Sequence, residues 1–139
     1  MQSEESHRLK IQNDFAQLSQ VRAQVKNFFS KNLSSKDLMQ VIQSVDEAVA
    51  NVIEHGYPDG RNGNIEIELL KFNDHIAIVI TDDAGHFDPA ALPAVNPEER
   101  YEQGLDGGIG VYIYSTFMHA TREPLAGQGN RLKLVKRIE

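Results

Sequence analysis

The chain contains no cysteine. Disulfides, zinc–thiolate sites and thiol catalysis are therefore excluded outright. An excess of positive charge is also missing: 20 acidic residues against 14 basic ones leave a formal net charge of −6. That balance does not suit broad phosphate neutralisation, so direct nucleic-acid binding is not expected. A local site that holds a phosphorylated ligand through Mg²⁺ needs no basic surface and stays open. No apolar run approaches the length of a bilayer span. The opening MQSEESHRLK has no apolar stretch of the kind a secretory leader carries, so a cytoplasmic, membrane-free protein is expected. The phosphate-binding pattern G-x-x-x-x-G-K-[ST] does not occur, nor do G-x-S-x-G or H-E-x-x-H. His55, His75, His86 and His119 show no paired metal-ligand spacing and read as structural or surface residues.

What is present is the composition of an ordinary globular protein. The 139 residues are 40% hydrophobic and 24% charged, enough for one core and one domain over residues 1–139. Residues 7–13 alternate as a first strand. Asp14 then caps a helix running to about Lys31, with Phe15, Leu18, Val21, Val25, Phe28 and Phe29 at helical spacing. Ser34 or Ser35 caps a second helix over about 36–55, with a core stripe of Leu38, Val41, Ile42, Val45, Val49, Val52 and Ile53. Strands are predicted at 64–72 and 75–81, joined by an Asn73-Asp74 hairpin turn, the second nearly all apolar and so central. Proline, glycine and charge then dominate residues 82–108, a stretch that reads as a functional lid. A helix over about 109–119 and strands near 120–126 and 131–138 complete the chain.

Three constellations carry chemistry. On the second helix Glu47, Asn51 and Glu54 share a stripe outside the apolar arc. An Asn oxygen can hold Mg²⁺, and a Glu can take a proton from an attacking hydroxyl; a solvated polar face would look the same. The apolar strand 75–81 runs into Asp82-Asp83-Ala84-Gly85, where a carboxylate just past a buried strand can accept from an amino group. An Asx-type turn ending in Gly is the plainer alternative. Finally, Gly107-Gly108-Ile109-Gly110 opens a helix, and glycine N–H groups there suit an anion, or serve only as a hinge.

The order of these three resembles the N, G1 and G2 boxes of the GHKL ATPases, over about residues 36–138. Glu47-Ala48-Val49-Ala50-Asn51 followed by His55-Gly56-Tyr57, and Asp83-Ala84-Gly85 followed by Phe87-Asp88-Pro89, are most similar to the anti-sigma-factor serine kinases. The resemblance implies the Bergerat ATP-binding fold: an α+β two-layer sandwich whose mixed, mostly antiparallel sheet has helices on one face, with a nucleotide lid at about 88–108. It implies ATP and Mg²⁺ as cofactors. Asn51 would hold Mg²⁺ and Glu47 would act as general base. Asp83, with Gly85 and Phe87 beside it, would meet the adenine. Gly108, Ile109 and Gly110 would meet the phosphates, with Arg100 reaching in from the lid and Asn130 donating near the last strand. The implied activity is serine/threonine phosphotransfer to a small antagonist protein by an anti-sigma factor that also binds its sigma factor, with homodimers common in the family. Asp106-Gly107 stands where many relatives have Arg or Lys before the glycines, and Asn130 where many have Thr. The alternative from another class is a nucleotide-gated partner switch without efficient transfer; a third, a non-nucleotide scaffold, leaves the order of the three sites to chance.

Overall fold

The computed structural model describes residues 5–85 and 114–138. The strands are β1 (Glu5–Gln12), β2 (Asn64–Lys71), β3 (His75–Asp82), β4 (His119–Pro124) and β5 (Asn130–Arg137); the helices are α1 (Leu18–Phe29) and α2 (Ser35–His55). Each boundary has a local cause. Asp14 Oδ1 accepts from Ala16 N at 3.0 Å and caps a single 3₁₀ turn, Phe15–Gln17, that leads into α1. That turn swings Phe15 outward, to 53% exposure, so it does not join the α1 core stripe expected of it. Ser34 Oγ accepts from Asp37 N at 3.1 Å and starts α2. The β2–β3 hairpin closes through Phe72 N to His75 O at 2.9 Å, around Asn73-Asp74 as the turn residues predict.

One sheet of order β1-β2-β3-β5-β4 results, and all four pairings are antiparallel. The register puts Leu9 and Ile11, Ile65, Ile67 and Leu69, Ile78 and Ile80, and Leu132 and Leu134 on one face, and every one of them is buried. That face packs with Val21, Val25 and Phe29 of α1 and Val41, Val45, Val49 and Val52 of α2 into a single core. The opposite face carries charge, including Arg8 bridging Glu66 at 2.9 Å and Glu68 at 2.7 Å. The α+β two-layer sandwich is thus present, with α1 and α2 on one face. β3 is central, as its apolar run foretells. Of the helix expected at 109–119, residues 114–117 are helical and β4 begins at His119. The lid expected at about 88–108 lies outside the described residues.

Candidate nucleotide site

The polar stripe of α2 is only partly solvated. Lys136, on the core side of β5, donates to Gln40 Oε1 at 3.2 Å and to the carbonyl of Phe117 at 3.3 Å, and lies 3.9 Å from Asp37 Oδ1. Residues 37, 40, 44, 47, 51 and 55 follow one another at three- or four-residue steps along α2, so the edge that Lys136 marks continues to Glu47 and Asn51. Through Lys136 the edge is tied at Gln40 to Phe117, next to the buried Met118. Asn51 is 3% exposed, and its Nδ2 has no hydrogen-bond partner among the described residues. A buried amide N–H in that state is unfavourable unless an acceptor, such as a phosphate oxygen, completes it. Glu47 is partly buried one turn earlier, and Glu54 is exposed one turn later. His55 Nε2 is also buried without a hydrogen bond among the described residues, 3.7 Å from Glu54 Oε2.

The two aspartates at the end of β3 part company. Asp82 is the Cα partner of Ile65 and of Asn130, both buried, so its side chain joins the core face and is 6% exposed. Its Oδ1 accepts from Ala84 N at 3.0 Å and from Asn130 Nδ2 at 3.0 Å. Burial pushes the Asp82 carboxyl above the usual carboxylate range, although the Asn130 amide, the Ala84 N–H and the Arg122 charge pull the other way. A buried acceptor of this kind, at the end of a central strand, is what an amino group of a planar ligand requires.

Asp83, to which the adenine contact is assigned from sequence, faces elsewhere. Its Oδ1 accepts from Tyr57 Oη at 2.7 Å and from Asn64 N at 2.9 Å, and its Oδ2 from Asn64 Nδ2 at 3.3 Å. Arg61 sits 3.8 Å from Oδ2, donates to the Asp83 carbonyl and stacks over the Tyr57 ring at 5.0 Å. Burial alone would raise the Asp83 carboxyl, but Asn64, Tyr57 and Arg61 outweigh it and hold the group below the usual range. Asp83 is therefore the centre of a latch between the 56–64 loop and the end of β3. Gly85 N to Gly56 O at 3.4 Å ties the same turn to the end of α2. Gly63 has to lack a side chain, because a Cβ there would stand 2.1 Å from the Tyr57 ring.

We expect Tyr57→Phe to lower stability by about 1–2 kcal/mol at neutral pH, measured by urea unfolding. Gly63→Ala should cost more, since the ring itself must move. A lowered folded-state pKa means that the Asp83 contribution is present above the unfolded carboxylate value and lost as pH falls through the folded one. The gap between wild type and Tyr57→Phe should accordingly narrow on acidification below about pH 4.

Of the residues assigned a role from sequence, Glu47, Asn51, Asp83, Gly85 and Asn130 lie within the described residues. Asn130 Nδ2 also donates to Gly85 O at 3.1 Å, which brings Gly85, Asn130 and Asp82 together. Phe87, Arg100, Gly108, Ile109 and Gly110 lie outside the described residues. The sequence pattern does not single out Asp82, because β3 is apolar on both parities; the register puts Ile76, Ile78, Ile80 and Asp82 on one face, and Asp83 leaves it.

The sequence profile of the histidine kinase-like ATPase domain matches residues 11–136. This chain belongs to that family. Among curated relatives, the serine-protein kinase RsbW of Bacillus subtilis (strain 168) is 29% identical over 83 residues, 57% of this chain and 52% of that protein. RsbW of Oceanobacillus iheyensis is 33% identical over 79 residues, 54% of this chain and 50% of that protein. The anti-sigma F factor of Clostridium novyi (strain NT) is 28% identical over 137 residues, 94% of this chain and 95% of that protein. The chain thus spans about half the length of the RsbW relatives that it matches and nearly all of the anti-sigma F factor. No helix among the described residues is long and apolar enough to cross a membrane.

Proposed function

We propose that this chain is an ATP-dependent serine/threonine protein kinase acting as an anti-sigma factor, which binds a sigma factor and phosphorylates a small antagonist protein. The observation that carries this reading is Asn51: a buried carboxamide with an unpartnered Nδ2 among the described residues, one helical turn beyond Glu47 on α2. A structural polar stripe has no reason to bury an amide unsatisfied.

ATP supplies the transferable phosphoryl group, and Mg²⁺ offsets its charge. Asn51 suits Mg²⁺ because a carboxamide oxygen is a hard ligand. Glu47 receives the proton of the serine hydroxyl as it attacks. Asp82, rather than Asp83, accepts from the adenine amino group, with Asn130 and Gly85 beside it. Gly108, Ile109, Gly110, Phe87 and Arg100 keep the nucleotide roles that the resemblance implies. Most of the rate gain comes from positioning and charge neutralisation.

The first test is thermal. Mg-ATP at about 100 times its Kd should add roughly 2.7 kcal/mol of stability, read as a raised melting temperature. A wild-type protein that shows no shift would sink the ATP reading. Asp106, standing where relatives carry a cation, favours the alternative of a nucleotide-gated partner switch. A labelled-phosphate assay on an antagonist protein separates the two, and light scattering in solution checks the homodimer common in this family. A cytoplasmic location completes the proposal.

A further inference from the structure

The hydrogen-bonding sense of Asn130 is fixed by its surroundings. It opens β5 and is the Cα partner of Asp82, so both side chains lie on the core face. It is 2% exposed. Its Nδ2 donates to two acceptors at once, Asp82 Oδ1 at 3.0 Å and the Gly85 carbonyl at 3.1 Å. Turning the amide over would set its oxygen against a carboxylate oxygen and a carbonyl oxygen, so that arrangement is ruled out. Oδ1 is therefore held as an acceptor. It is buried, and no donor reaches it among the described residues.

The backbone strengthens this fixation. Gly129, at φ +103°, brings the chain into β5 with its N–H on the Ala84 carbonyl at 2.9 Å, and a Cβ on it would stand 2.5 Å from the Asp82 carbonyl. Asn130 therefore cannot retreat from Asp82 without undoing the turn. The bonds from Asn130 Nδ2 and Ala84 N both fall on Oδ1 of the aspartate. The site offers two neighbouring acceptors, one carboxylate oxygen and one amide oxygen, the second without a donor among the described residues.

We propose that Asn130 is a specificity-determining residue: Asp82 accepts one hydrogen of an exocyclic purine amino group, and Asn130 Oδ1 accepts the other. This deepens the ATP reading and rests on it. A threonine at this place would have a hydroxyl that rotates to donate or accept, so it would impose no second donor. The asparagine does impose one, because a ligand without it leaves a buried acceptor unmatched. Two donors on adjacent atoms of guanine would also match two acceptors, so GTP belongs in the test.

The experiment is isothermal titration of wild type and Asn130→Thr with the Mg²⁺ complexes of ATP, N6-methyl-ATP, ITP and GTP. In wild type, N6-methyl-ATP, which retains a single amino hydrogen, should bind at least about ten-fold more weakly than ATP, as one lost buried bond implies. In Asn130→Thr that ratio should shrink to about three-fold or less, while ITP, which has no amino group, stays weak in both proteins. Equal binding of ATP and N6-methyl-ATP by wild type overturns the proposal, and that measurement does not depend on the variant folding. An unchanged ratio in a folded Asn130→Thr protein, or tighter binding of GTP than of ATP, overturns it as well. Absence of any ATP heat in wild type overturns the ATP reading itself, which tells the two failures apart.

Discussion

Asn51→Ala should give no measurable heat with Mg-ATP, whereas Glu47→Gln should bind Mg-ATP like the wild type and transfer phosphate about 100-fold or more slowly. The two residues sit one turn apart on α2, yet the expected losses differ in kind. On the proposed reading Asn51 acts in the ground state, since removing the amide would remove an oxygen ligand of the metal. Glu47 would act only as the hydroxyl loses its proton, and a general base contributes about 10²–10⁴ in rate. The apo proteins supply a control. Asn51→Ala deletes a buried amide whose Nδ2 makes no bond among the described residues, so its unfolding free energy should fall by far less than a buried, fully bonded Asn would cause. Calorimetry of binding, single-turnover transfer and urea unfolding check the three parts. Normal transfer by Glu47→Gln would remove the kinase reading at its central residue and leave the partner switch.

Asp82→Asn should weaken ATP binding about 100-fold or more while leaving the apo protein at neutral pH as stable as wild type, or more so. The asparagine can keep the acceptor bonds from Ala84 N and Asn130 Nδ2 on its own Oδ1. It then turns its Nδ2 toward the ligand, and a donor there opposes an amino group. The stability half follows from the sign of the pKa shift. Burial raises the Asp82 carboxyl in the folded state, so its contribution is favourable below the unfolded carboxylate value and is lost as pH rises through the folded one. Above that range the desolvated carboxylate is a liability that the neutral amide removes. Asp83 has the opposite sign, and Asp83→Asn should lower stability at neutral pH. Titration calorimetry at one pH and urea unfolding across pH 4–8 separate the neighbours. Equal losses of nucleotide affinity in both variants would defeat the division of labour between them.

Much of the architecture was legible because short-range chemistry decides it. The Ser34 cap, the Asn73-Asp74 hairpin and the all-apolar β3 each sit where periodicity and turn residues place them. Phe15 did not follow its period, because Asp14 satisfied a backbone N–H through a 3₁₀ turn and rotated the first turn away from the core. The Glu47 and Asn51 pair was visible as a stripe, but the stripe alone could not say whether it met solvent or protein. Lys136, 96 positions from Gln40, answers that, and no local pattern couples two residues so far apart.

The site shows the same boundary. By itself the sequence determined the secondary elements, the single core and the order of the three polar motifs, since propensity, period and spacing act over a few residues. Only the tertiary structure decided which of two adjacent aspartates enters the core. Strand parity is absolute only once register is set, and the register of β3 comes from β2 and β5, nearly fifty residues away in the case of Asn130. It likewise decided that Asp83 serves a latch and that Asn130 presents an acceptor. Those roles depend on which partners fold brings within hydrogen-bond reach, and that reach is set by the packing of the whole sheet.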